Sequence, residues 1–176
     1  GVNTEKFGEE YTIEFDIILN VTPQTGYYLP NFDFGGFAGG EDIANHNKFL
    51  SGYRMNNAFE NRIEPSALKS KITMRSFAAN GETFKSGRLE NEIFKEKLKE
   101  KIHVAVMVQK SRLQLWVDEH KMLDIPKGVN NYAAPINQVF FKTENSGGYN
   151  ENNFSYLVSN IKIASGLGNI QSSLIQ

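Results

Sequence analysis

Glu14 and Asp16 stand two residues apart in the run Tyr11-Thr12-Ile13-Glu14-Phe15-Asp16-Ile17, so on an extended backbone both carboxylates share one face. Two carboxylates flanking a glycosidic bond can divide the work of acid and nucleophile, which makes this pair a candidate for sugar chemistry. The plainer reading is the polar outer face of a half-buried strand. His103 and Asp118 form a second candidate. An imidazole oriented by a carboxylate can act as a general acid-base pair, although an ordinary cross-strand hydrogen bond is the favoured reading.

Other motifs fall short. The histidines His46, His103 and His120 are scattered, without the His-Glu clustering of a zinc site, and Gly-x-Ser-x-Gly is absent. The glycine-rich stretch 34–40 lacks the Lys-Ser/Thr ending of a phosphate-cradling loop and reads as a bend. With no Cys, disulfides, thiolate metal sites and Cys nucleophiles are excluded together. No cofactor is expected, with calcium left open. Asp33, Glu41, Asp42 and Asn45, and again Asn145, Asn150, Glu151, Asn152 and Asn153, gather hard oxygen donors, but turns use the same residues.

The elements that position these residues are strands. A turn at Lys110-Ser111 sets Val108 against Leu113, Val106 against Leu115 and Val104 against Val117, a face that reads as core. The opposite face pairs Met107 with Gln114, Ala105 with Trp116 and His103 with Asp118. Lys-Ser is not a preferred two-residue turn, so a four-residue loop in the same register is an equal option. The single Trp opposite a small Ala, beside Gln114 and Arg112, makes a flat aromatic surface flanked by hydrogen-bonding groups, as a sugar ring or a peptide edge requires. Trp116, Gln114, Arg112, His103 and Asp118 are therefore the expected ligand-binding residues. For Trp116 itself the favoured reading is the plainer one, packing beneath a crossing loop or the segment 89–101.

Alternation with period 2 runs through Tyr11, Ile13, Phe15, Ile17 and Leu19, and strands are also predicted at 49–55, 71–77, 102–109, 113–118, 121–125, 136–142 and 154–164. Aromatics, glycines and Pro30 between 26 and 40 predict strands broken by turns, and Asn80-Gly81 predicts another turn. Only 89–101, with Leu89, Ile93, Phe94 and Leu98 at helical spacing, predicts a short helix. The expected architecture is all-β, a two-sheet antiparallel sandwich over 1–165 with at most one short helix, followed by a linker or C-terminal tail at 166–176.

The 176 residues fit one domain, and 13 Phe with 7 Tyr argue for a globular, aromatic-rich interior. Lys plus Arg total 19 against 20 Asp plus Glu, so no excess positive field exists to hold nucleic acid or an anionic leaflet. No apolar run approaches the roughly 20 residues of a membrane span, and membrane insertion by this domain is not expected. The opening Gly1-Val2-Asn3-Thr4 carries no basic and then apolar stretch, so a signal peptide or lipid-anchored start is expected to have been trimmed from upstream.

The residues Ile102-His103-Val104-Ala105-Val106-Met107-Val108, Leu113-Gln114-Leu115-Trp116-Val117-Asp118 and Asn160-Ile161-Lys162-Ile163 resemble the laminin-G-like, concanavalin-like jelly-roll family. In that family a strand opening on His precedes one ending in Tyr-Val-Asp-Gly; here Trp116 takes the aromatic position and Glu119 replaces the Gly. Residues 101–126 and 158–166 are more narrowly similar to the N-terminal region of certain OmpA-family proteins of Gram-negative bacteria. This resemblance implies a location in the periplasm, at the outer membrane or on the cell surface. It further implies a non-catalytic binding module of the cell envelope contacting glycan or an envelope protein, with a structural spacer as the alternative. Sandwich-fold glycoside hydrolases carry a Glu-x-Asp-x-x-Glu strand to which Glu14-Phe15-Asp16 is similar. The third carboxylate is missing, since Ile18, Leu19 and Asn20 follow, so a hydrolase is the weakest of the alternatives.

Overall fold

The computed structural model describes residues 7–38, 57–66, 69–78, 80–130, 136–145, 148–150 and 153–165. Among them the elements follow in the order β1 (Glu10–Asn20), β2 (Asn31–Phe37), β3 (Ala58–Pro65), β4 (Ser70–Phe77), β5 (Thr83–Glu90), α1 (Ile93–Glu96), β6 (Lys101–Gln109), β7 (Arg112–Val117), β8 (His120–Ile125), β9 (Gln138–Glu144) and β10 (Ser155–Ser165). They form two antiparallel five-stranded sheets, ordered β10-β1-β6-β7-β8 and β5-β4-β3-β2-β9. The expected two-sheet sandwich is the observed one.

The alternation in β1 explains the packing. Tyr11, Ile13, Phe15, Ile17 and Leu19 are all 1% exposed or less, pointing from the first sheet into the space between the layers. There Phe15 meets the second sheet edge-on, its ring centroid 4.9 Å from Phe34 of β2 and 5.0 Å from Phe141 of β9. Burying each such ring contributes about 1.5–3 kcal/mol, so truncating Phe15 to Ala removes a contact made by both layers.

The β6–β7 hairpin has the expected register, with Ala105 opposite Trp116 and Met107 opposite Gln114. Gln109 pairs with Arg112, so Lys110 and Ser111 form a two-residue turn despite their composition. Lys110 takes a φ of 55°, and its backbone N–H donates to the Glu9 carbonyl at 2.7 Å, which ties the turn to the start of β1. The Asn80-Gly81 turn is also present: Gly81 has a φ of 78°, and the Glu82 N–H donates to Asn80 Oδ1 at 3.0 Å.

The helix expected over 89–101 is a single turn, α1. Leu89 belongs to β5 and Leu98 to the turn before β6, so the apolar residues at helical spacing reach the core from β5, α1 and that turn. Phe94 in the turn is fully buried, and the Ile93 N–H is held by Asn91 Oδ1 at 2.9 Å. The strand expected at 49–55 and the tail 166–176 lie outside the described residues. Two strands, β3 and β5, have no counterpart among the sequence-based expectations. In β3 the outward positions are Glu60, Arg62 and Glu64, and β5 is a largely exposed edge strand, so neither carries a clean apolar alternation.

Candidate functional site

The five residues expected to bind ligand lie on or beside the outer face of the first sheet, and the structure occupies each with a protein partner. Trp116 is half-buried, and its Nε1–H donates to Gln114 Oε1 at 3.2 Å. Arg112 grips Asp124 with two bonds, Nε to Oδ1 at 2.7 Å and Nη2 to Oδ2 at 2.6 Å. These bonds and the Lys121 ammonium hold the Asp124 carboxyl well below the usual carboxylate range.

His103 and Asp118 are joined by ordinary cross-strand hydrogen bonds, the favoured expectation, while the side-chain pairing that an acid-base couple would need is not formed. Asp118 follows β7 in a turn with a φ of 44°, and its carboxylate accepts the His103 backbone N–H at 2.9 Å and the Lys97 ammonium at 2.6 Å. The imidazole turns the other way, toward β1, with Nδ1 at 2.9 Å from Asp16 Oδ1 and Nε2 at 3.0 Å from Glu14 Oε1. Burial opposes ionisation of Asp16, but hydrogen bonds from Asn160 and His103 and the nearby positive charge prevail and lower its pKa. Glu14 and Asp16 thus share a face, as their spacing requires, and both are directed at one imidazole.

Of the oxygen donors considered for calcium, Asp33 is not in a loop. It lies on an interior strand, fully buried and bound to Arg62. Asn145 folds back onto the Tyr149 backbone, accepting its N–H at 3.0 Å and donating to its carbonyl. Glu41, Asp42, Asn45, Glu151 and Asn152 lie outside the described residues. Among the described residues no group of three or more His, Asp or Glu side chains is arranged to hold a metal ion.

The outer face of the second sheet carries the more open chemistry, and register explains it. One row across the strands reads Lys142, Asp33, Arg62, Thr73 and Arg88, and the next reads Phe140, Gly35, Glu60, Arg75 and Ser86. Residues in register share a face, so charges from five strands meet side by side. Gly35 is required where β2 approaches β3, because a Cβ there would lie 1.9 Å from the Phe59 carbonyl oxygen.

The buried part of this face is an ion network. Asp33 and Glu60, both at most 2% exposed, are bridged by Lys142 Nζ at 3.7 and 3.2 Å, and Arg75 Nη2 reaches Glu60 Oε1 at 2.9 Å. Burial pushes the Asp33 carboxyl above its ordinary value despite the Arg62 hydrogen bond, with the Glu60 charge adding to the effect. Burial also opposes ionisation of Glu60, yet the Arg75 hydrogen bond and the charges of Lys142, Arg62 and Arg75 outweigh it and lower its pKa. Beside this network, over β3, β4 and β5, runs a groove of about 440 Å³ bordered by Arg62, Glu64, Thr73, Arg75, Ser86 and Arg88. A second depression of about 390 Å³, bordered by Arg75, Phe77, Glu82 and Thr83, lies alongside and shares Arg75 with it. Sequence reading missed these residues because β3 and β5 themselves went unread.

Neither a protein-family model nor a curated protein sequence matches the chain. Solved structures do. The legume lectin-like domain from Entamoeba histolytica aligns over 90% of this chain and 73% of its own, at 8% identity with a TM-score of 0.60. Lactose- and MES-liganded congerin II aligns over 92% and 96%, at 10% identity with a TM-score of 0.57. The ligand-binding domain of botulinum neurotoxin serotype D, solved with N-acetylneuraminic acid, aligns over 98% of this chain but 37% of its own length, at 9% identity with a TM-score of 0.57. These likenesses show the fold: the chain is a two-sheet antiparallel jelly-roll sandwich of the concanavalin-like kind.

Proposed function

We propose that the chain is a non-catalytic glycan-binding module that receives its ligand in the groove over β3, β4 and β5. The observation that carries this reading is the groove itself, an open depression on a paired sheet with walls of guanidinium, carboxylate and hydroxyl groups. Sugar rings present several hydroxyls that donate and accept. Arg62, Arg75 and Arg88 supply donors, Glu64 an acceptor, and Thr73 and Ser86 both. The adjoining depression carries the surface along β4, and Phe84 on the same edge strand exposes 45% of its surface as an apolar ring. From Lys71 to Phe77 the strand runs about 20 Å, room for more than one sugar ring. The sugar complexes of congerin II and of the neurotoxin domain, built on the same sandwich, support the choice of ligand class.

A hydrolytic role is disfavoured by the geometry of β1, where Glu14 and Asp16 converge on His103. A bacterial cell-envelope setting belongs to the same proposal. It is supported by the resemblance of 101–126 and 158–166 to OmpA-family proteins and by no structural observation. A glycan array probed with the purified chain, in calcium and in chelator, tests the reading beside Ser86→Trp, which fills the groove from an exposed edge strand. The expected result is a defined set of hits that Ser86→Trp abolishes. A blank array, or hits that survive Ser86→Trp, would overturn it, and chelator sensitivity would add a metal to the site.

A further inference from the structure

The geometry points to an acidic sugar as the ligand: we infer that the groove seats a carboxylate or sulfate group between Arg75 and Arg88. This rests on the glycan reading above and names the class of glycan. Register places Thr73 opposite Arg88 and Arg75 opposite Ser86 on adjacent strands. The four residues therefore occupy the corners of a square on the sheet, with arginines on one diagonal and hydroxyl residues on the other. Diagonal positions in paired strands lie about 7–8 Å apart at Cβ, so two long arginine side chains can swing onto one group from their resting places, Arg75 over the Phe77 ring at 5.7 Å and Arg88 beside Glu90.

Both guanidinium groups retain donors. Among the described residues Arg75 gives one nitrogen to hydrogen bonding with protein, Nη2 to Glu60 Oε1 at 2.9 Å, while 46% of its side chain is exposed. Arg88 likewise gives Nη2 to Glu90 Oε1 at 2.9 Å and is 58% exposed. A guanidinium group holds five donors in a planar fork that matches the two oxygens of a carboxylate or sulfate. Arg62 is different: its Nε and Nη2 are spent on Asp33 and Glu144, so it fixes the wall of the groove.

The carboxylates around the groove are already answered by cations. Glu64 lies 3.3 Å from Lys71 Nζ, and Glu60 is buried between Arg75 and Lys142. Glu90 is shared by Lys69 and Arg88. The groove lining therefore sets Arg62, Arg75 and Arg88 against the single carboxylate Glu64. Thr73 and Ser86 add hydroxyl donors of no charge at the remaining corners. An oxyanion at the centre of the square displaces water from two exposed arginines and leaves the buried network intact.

Calorimetric titration with lactose, 3′-sialyllactose and 3′-sulfolactose tests this, each in low and high salt. An acidic probe is expected to bind at least about tenfold more tightly than lactose, the yield of one charge-assisted hydrogen bond, and the gain should shrink as salt rises. In Arg75→Gln/Arg88→Gln the ratio of acidic to neutral affinity should fall to near one, with thermal unfolding confirming that the variant is folded. Arg75→Lys/Arg88→Lys keeps the charge without the fork and should recover only part of the ratio. The sialyl and sulfo probes distinguish the two sources of the oxyanion, and a preference for either supports the inference. Equal affinity for all three, or rejection of both acidic probes, would overturn it while leaving the glycan reading in place. No binding of any probe, together with a blank array, would overturn both.

Discussion

Arg62 on β3 grips Asp33 on β2 through two parallel hydrogen bonds, Nε to Oδ1 at 2.9 Å and Nη2 to Oδ2 at 3.0 Å, although the Asp33 carboxylate is wholly removed from solvent. A buried carboxylate stripped of its partner is far costlier than a pair removed together. Arg62→Met should therefore lower unfolding stability in urea by about 3 kcal/mol, the lower end of the usual range because Lys142 stands 3.7 Å from the same carboxylate. Adding Asp33→Asn to that variant should recover part of the loss. A double variant as unstable as the sum of the two singles would show that Asp33 and Arg62 do not act as a unit.

Tyr11 presents the opposite case, a buried polar group without a partner. Its ring is fully buried against Phe7, centroids 5.4 Å apart, and its hydroxyl has no hydrogen-bond partner among the described residues. Burial pushes its pKa far above the ordinary tyrosine value. Removing an unsatisfied buried hydroxyl without changing the ring should relieve its desolvation cost, so Tyr11→Phe is expected to stabilise the fold by about 1 kcal/mol. A rise in the thermal midpoint checks this, and a fall would mean that the hydroxyl is satisfied by ordered water.

The fold was legible where one face of a strand is apolar and the other polar, and the site was not, for a related reason. β1, β6 and β7 alternate because one of their faces lies against the second layer, so even the pairing of Ala105 with Trp116 followed from sequence. In β3 the core positions are Phe59, Asn61 and Ile63, an alternation weakened by an amide, while Glu60 is buried on the other face by its cations. Such a strand becomes readable only when its partners are known, and although β4 follows it directly, β9, which supplies Lys142, lies far along the chain. β5 is an edge strand with Phe84 and Leu89 among polar residues, and Leu89 fitted a helical spacing equally well. The groove is built from these two strands and β4 between them, which is why its arginines were invisible as a group.

Asp124 gives a dependence on pH. Its hydrogen bonds with Arg112, and then with Lys121, hold its pKa in the folded state well below the ordinary aspartate value. A depressed carboxylate contributes stability above its unfolded pKa and loses it as pH falls through the folded value. Wild type should therefore exceed Asp124→Asn in stability at pH 6–7, by about 0.5–1 kcal/mol because the pair is partly open to solvent and screened. The difference should shrink steadily below roughly pH 4 as the carboxylate is protonated. Urea unfolding of both proteins at several pH values checks the sign, and a difference that grew on acidification would contradict the ion pair.

Trp116 decides between the two outer faces. Its indole is half-buried and its one donor is held by Gln114, whose neighbour Arg112 is locked onto Asp124, so the first sheet offers a ligand few unspent groups. The groove on the second sheet keeps Arg75 and Arg88 largely exposed. Glycan binding should accordingly survive Trp116→Ala and be lost in Ser86→Trp, measured on one array with both variants checked for folding by thermal unfolding. The reverse pattern, binding lost with the indole and kept when the groove is filled, would move the site to the β6–β7 hairpin and make the half-exposed tryptophan its stacking platform.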